Sequence, residues 1–124
     1  MIKPYIYILL VVLLPAATQA QEQQLAKANK NFEQLDYIEA QKIYLAVAEK
    51  GFESEELYTR LANSYYFNAQ YAEAEHWYKK LLEKYPNAPG LTHLRYSQVL
   101  KAMGKDALAK EFFDSYAQQE GTVT

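Results

Sequence analysis

A chain of 124 residues is long enough for one domain, and its 50% apolar content excludes a wholly disordered polypeptide. The formal charge of −2 comes from interspersed acids and bases, so no basic stripe exists to hold nucleic acid. The absence of cysteine removes disulfides, thiol catalysis and thiolate metal sites.

The first twenty residues, MIKPYIYILLVVLLPAATQA, read as an export signal. Lys3 precedes an apolar run from Tyr5 to Leu14, Pro15 interrupts it, and small residues follow. Thr18 and Ala20 have the small–x–small spacing that a signal peptidase accepts, so cleavage is expected between Ala20 and Gln21. The apolar run is shorter than the roughly 20 residues that cross a bilayer, and no membrane span is expected after cleavage. This reading makes the chain an exported, periplasmic one.

From Glu22 onward the pattern is helical. A first helix is expected over about 22–33, with Ala28 as its small residue and Leu25 and Phe32 at helical spacing. Asp36 is placed to cap a second helix that reaches Lys50, and Gly51 can stop it in a left-handed conformation. Ser54, followed by Glu55 and Glu56, is placed to cap a third helix, because carboxylates are favourable at the positive helix end. A turn at Asn68-Ala69-Gln70 leads to a fourth, closed by Pro86. A fifth helix is expected from Leu91 to Met103, ended by Gly104. A sixth runs from Asp106, its expected cap, to Gln118, with a frayed tail over 119–124.

These helices form copies. Shifted by 34 residues, Ala28 falls on Ala62, Asn29 on Asn63, Tyr37 on Tyr71, Glu39-Ala40 on Glu73-Ala74, Tyr44 on Tyr78 and Glu49-Lys50 on Glu83-Lys84, and Phe32 falls on Tyr66. The matches lie largely on small and aromatic positions, where two helices must approach closely. With one extra residue in the Pro-Asn-Ala-Pro-Gly loop, Ala62 falls on Ser97, Ala69 on Gly104, Ala74 on Ala109 and Tyr78 on Phe113. A helix pair cannot bury its apolar face alone, so three pairs at about 22–50, 54–86 and 90–118 predict an all-α solenoid.

Tyr58, Leu61-Ala62, Tyr65, Tyr71, Ala74, Tyr78 and Pro86 have the order and spacing of the tetratricopeptide repeat (TPR), which the chain resembles over most of Leu25 to Tyr116. The first copy departs from the motif at Lys27 and at Phe52, which stands where the closing proline would. The resemblance implies a right-handed TPR-like α-solenoid of three antiparallel helix pairs. More narrowly, ANKNFEQLDYIEAQKIY and ELYTRLANSYYFNAQYAEAEHWYKKL resemble the N-terminal part of Bacteroidota envelope proteins. In those proteins helical repeats precede a β-propeller and an OmpA-like peptidoglycan-binding domain. That implies an alternative reading, a fragment of such an outer-membrane or secretion-system protein with a structural role.

Nothing in the chain assembles catalytic chemistry. His76 and His93 lie on different expected helices without ligand spacing, and a metal needs three or four converging ligands. Glu73 and Glu75 cannot face each other on a helix. The serines lack a nucleophile-elbow context and no glycine-rich phosphate loop exists. A non-enzymatic chain without cofactor or metal is expected. The function class that remains is a protein-interaction scaffold, whose first helix in each pair lines a concave groove. Its expected lining is Asn29, Phe32, Thr59, Asn63, Tyr66, Phe67, Gln98 and Lys101, with a protein or peptide of the cell envelope as partner. Asn29 and Asn63, one repeat apart, can either grip an extended peptide backbone or satisfy neighbouring helix termini. Tyr66 and Phe67 are candidate anchors. The family's clamp for a carboxyl terminus uses a lysine where this chain has Leu25, so that mode is not expected.

Overall fold

The computed structural model describes the backbone of residues 3–123 and the side chains of residues 18–121. Among the described residues six helices follow in order: α1 (Lys3–Glu33), α2 (Tyr37–Glu49), α3 (Glu55–Phe67), α4 (Tyr71–Lys84), α5 (Gly90–Ala102) and α6 (Asp106–Val123). Each packs against the next in the chain, α3 also meets α5, and Phe32 and Glu33 of α1 reach Phe67 and Arg60 of α3, so the odd-numbered helices share one face.

Close approach within each pair follows from the small residues that the repeat register singles out. Ala28, Ala62 and Ser97 on the first helices are buried, as are Ala40, Ala74 and Ala109 on the second. Around them Tyr44, Tyr58, Leu61, Tyr78, Leu81 and Leu100 are sealed from solvent, giving one continuous core through all three pairs.

The turns inside the pairs repeat as closely as the seams. Leu35, Ala69 and Gly104 all have positive φ, at 64°, 58° and 78°. At each turn this residue donates its N–H three residues back, and the residue after it donates five back: Leu35 to Phe32 and Asp36 to Asn31, Ala69 to Tyr66 and Gln70 to Tyr65, Gly104 to Lys101 and Lys105 to Leu100. This is the Schellman closure, which satisfies the last helical carbonyls and turns the chain sharply back. Only the third copy uses glycine there; leucine and alanine carry a strained left-handed backbone in the other two.

Ser54 caps α3 as expected, its Oγ accepting from the Leu57 N–H at 3.0 Å, and Asp36 accepts from the Glu39 N–H at 3.4 Å. Gly51 takes φ 92° just past the end of α2, and α4 ends before Pro86. Three boundaries differ from the sequence expectation. Asp106 is the first helical residue of α6 rather than its cap. The expected frayed tail is helical as far as Val123, and on this continuation Gln119, next to Tyr116, packs onto Gly90 at the start of α5. The first helix begins well before Glu22, so α1 is helical across the Ala20–Gln21 junction. The side chains of residues 1–17, which carry most of the expected export signal, lie outside the described residues. Among the described residues no helix is long and apolar enough to cross a membrane.

Candidate functional site

The two matched asparagines come first, because their geometry is the same in both copies. The Tyr44 hydroxyl donates to Asn29 Oδ1, and the Tyr78 hydroxyl donates to Asn63 Oδ1 at 2.5 Å. Burial raises the pKa of both phenols above the usual tyrosine value, so each stays a protonated donor across the physiological range. Arg60 pulls the other way on Tyr44. Each carboxamide oxygen therefore ties the first helix of its pair to the second, rather than bonding to a helix terminus. The third copy breaks the pattern. Phe113, in the tyrosine position, has no hydroxyl, and Gln98, in the asparagine position, accepts instead from Tyr66 of the preceding pair at 2.5 Å.

The expected groove residues are distributed over three hollows. Phe32, Thr59 and Asn63 share a hollow of about 510 Å³ with Glu33, Glu56, Arg60, Pro89 and Thr92. Asn29 lines a smaller one of about 200 Å³ with Leu25, Tyr44 and Arg60. Gln98 and Lys101 belong to a third, of about 470 Å³, between α5 and α6.

Tyr66 and Phe67 belong instead to an aromatic cluster. Phe67 packs edge-on to Phe32 at 6.1 Å and to Tyr66 at 5.3 Å, and stacks on Tyr37 at 5.3 Å. Two guanidinium groups lie over these rings. Arg95 sits 4.8 Å from the Phe67 centroid and 5.8 Å from that of Tyr66, and Arg60 sits 5.6 Å from that of Phe32. Phe67 nevertheless remains 42% exposed, a large ring held in place by its neighbours and still accessible. Arg60 also pairs with Glu33 and Glu56.

Sequence reasoning passed over Tyr37, Arg60 and Arg95. The signal was present, because Arg60 and Arg95 stand one repeat apart in the same 35-residue register that pairs Ala62 with Ser97. The helix-to-helix aromatic contact of Tyr37 has no counterpart in spacing along one helix.

The histidines have other surroundings. His76 lies edge-on to Trp77 at 5.1 Å. His93 is buried beside Phe112, with the Ala88 backbone close to its ring. Burial lowers its pKa, opposed more weakly by the nearby Ala88 backbone. Among the described residues no three metal-ligating side chains converge.

The arrangement of paired helices, recurring small-residue seams and an aromatic inner face defines a repeat solenoid. Among solved structures, the C-terminal part of a TPR repeat-containing protein from Cytophaga hutchinsonii matches 79% of this chain with a TM-score of 0.71 at 24% sequence identity. The matched region is 39% of that chain. The likeness shows the fold, a TPR-like α-solenoid. No family model and no curated protein matches.

Proposed function

We propose that this chain is a non-catalytic protein-interaction module that holds an extended peptide segment of a partner along the inner face of α1, α3 and α5. The observation that supports it is the aromatic cluster around Phe67. Phe67 stays exposed there beneath Arg95 and packs against Phe32, which lines the hollow of about 510 Å³ beneath Arg60. Aromatic and arginine side chains dominate interface energies, because rings bury much area at little rotamer cost and a guanidinium offers several directed donors. Arg95 adds an attraction for carboxylates on the partner, whereas Arg60 is already paired with Glu33 and Glu56. Asn63 is less suited to gripping a peptide through its oxygen, which Tyr78 already holds.

The cellular setting belongs to the same proposal. The pattern of residues 1–20 supports export, with cleavage at Ala20–Gln21 and a periplasmic or outer-membrane-associated destination. The alternative, a repeat-bearing N-terminal part of an OmpA-like envelope protein, is supported by the sequence resemblance alone.

Phe67→Ala tests the groove. Tagged protein carrying it should capture much less partner from envelope extracts, with its helical circular dichroism unchanged because the ring is part-exposed. Equal capture yields would remove the inner face from consideration.

A further inference from the structure

The part of α1 around the Ala20–Gln21 junction has little of the fold packed on it. The helix runs straight across the junction, and Thr18, Gln19 and Ala20 are exposed there. On the other side Gln21 is part-buried, and Glu22, Gln23 and Gln24 are exposed. Packing against the core begins at Leu25, Ala28 is fully buried, and Asn29 ties α1 to α2 through Tyr44. Among the described residues the Gln21 carboxamide has no hydrogen-bond partner.

Cleavage at this junction, as proposed above, makes Gln21 the first residue and gives it a free α-amino group. Such a group titrates at about 8, well below a lysine, so part of it is a neutral and nucleophilic amine at neutral pH. The Gln21 side chain places its carboxamide carbon Cδ where that nitrogen closes a five-membered ring of N, Cα, Cβ, Cγ and Cδ. Gln23 and Gln24 have the same side chain but only peptide nitrogens, whose lone pairs are delocalised into the carbonyl. The helix adds a bias. An ammonium at the start of α1 stands at the positive end of the macrodipole, which favours loss of its proton and any step that removes its charge. The neighbouring Glu22 carboxylate pulls the other way on the proton, yet keeps its own favourable place at that end once the ammonium is gone.

We infer that Gln21 is a modification site, at which the mature N-terminus closes to pyroglutamate. The neutral α-amino nitrogen attacks Cδ and forms the N–Cδ bond. The Cδ–Nε2 bond breaks, and Nε2 leaves as ammonia with a proton from the attacking nitrogen. No oxidant, metal or cofactor is consumed, and the product is an uncharged lactam. The fold allows the step, because an exposed first turn frays readily and the carboxamide gives up no bond to reach the ring-closing geometry. It also gives the lactam a use. An aminopeptidase needs a free α-amine, and trimming from Gln21 would meet three exposed residues before Leu25 and the Asn29–Tyr44 bond that holds α1 in its pair. The inference rests on the export reading and is independent of the inner face.

The test expresses the full-length gene with a C-terminal tag in an exporting bacterial host. Protein purified from the periplasm is held at neutral pH for a week, and its intact mass and N-terminal peptide are measured. The expected species is residues 21–124 with the tag, lighter by one ammonia. Edman degradation should not open it until pyroglutamyl peptidase has removed residue 21. Gln21→Ala, which has no carboxamide to attack, should keep its full mass and open at once, with its helical circular dichroism unchanged. A chain that starts at Gln21 and retains its ammonia overturns the inference and leaves the cleavage reading standing. Ammonia loss that persists in Gln21→Ala overturns it too, because the loss then lies elsewhere. A chain that keeps residues 1–20, or starts at another residue, overturns both readings.

Discussion

Tyr78 and Phe113 hold the same position in consecutive helix pairs, yet one is sealed and donates a hydrogen bond while the other is half exposed and has no hydroxyl to donate. The difference teaches how a repeat acquires its polar interior. A hydroxyl is tolerated in the core only where a second helix brings its acceptor and a following pair excludes water. The second pair has Asn63 and the cover of α5. The third pair lacks a covering helix among the described residues, has phenylalanine, and turns its Gln98 back toward Tyr66.

The contrast can be broken most forcefully at the tyrosine itself. Tyr78→Ala should cost roughly 3–5 kcal/mol, because it opens a cavity in a fully buried site. Phe113→Ala should cost about 1 kcal/mol or less, and urea melts of the two variants measure the gap. Comparable losses would mean that Phe113 is as well packed as Tyr78.

Removing only the hydroxyl sharpens the point. Tyr78→Phe strands a buried carboxamide oxygen and should destabilise by about 1–3 kcal/mol, whereas Phe113→Tyr should change stability by less than about 0.5 kcal/mol.

The third pair has its own sensitive group in His93. Burial lowers its pKa, so the unfolded chain binds the proton more readily than the folded one. Its contribution to stability is therefore complete above the unfolded value of about 6.5 and is lost as pH falls from there toward the lowered folded value. Thermal melts across that window should show a fall that His93→Phe removes. A slope that persists in the variant would assign it to another group.

The smallest effects are at the three left-handed turns. Ala69→Gly should stabilise by about 0.5–1 kcal/mol by relieving a strained φ, net of the entropy glycine adds to the unfolded chain. Gly104→Ala, where a Cβ meets no neighbouring atom but φ is 78°, should destabilise by about 1 kcal/mol. Opposite signs at matched positions are the check, read from denaturation midpoints.

Much of the architecture was legible in the residues. The register that pairs Ala28, Ala62 and Ser97, and Ala40, Ala74 and Ala109, located all six seam positions, because close helix approach demands small side chains wherever it occurs. Ser54 and Gly51 announced helix ends through local chemistry that needs no partner. The 35-residue shift also placed Gly104 on Ala69, and both close their turns in the left-handed conformation. The candidate site was less legible. Tyr37 stacking on Phe67, and Arg95 reaching back over Tyr66 and Phe67, are contacts between helix pairs, set by how the pairs are rotated against each other.

The sequence by itself determined helices, turns and repeat length, since each depends on residues near one another in the chain. Only the tertiary structure showed what holds the carboxamide oxygens of Asn29 and Asn63. Matched asparagines one repeat apart do not by themselves say where those oxygens bond, and in both copies the partner is the hydroxyl of a tyrosine fifteen residues onward. The same holds for the terminal face. Phe113 reads as one more aromatic at a seam, and its exposure became visible only when the stacking of the first two pairs showed what a covered seam looks like.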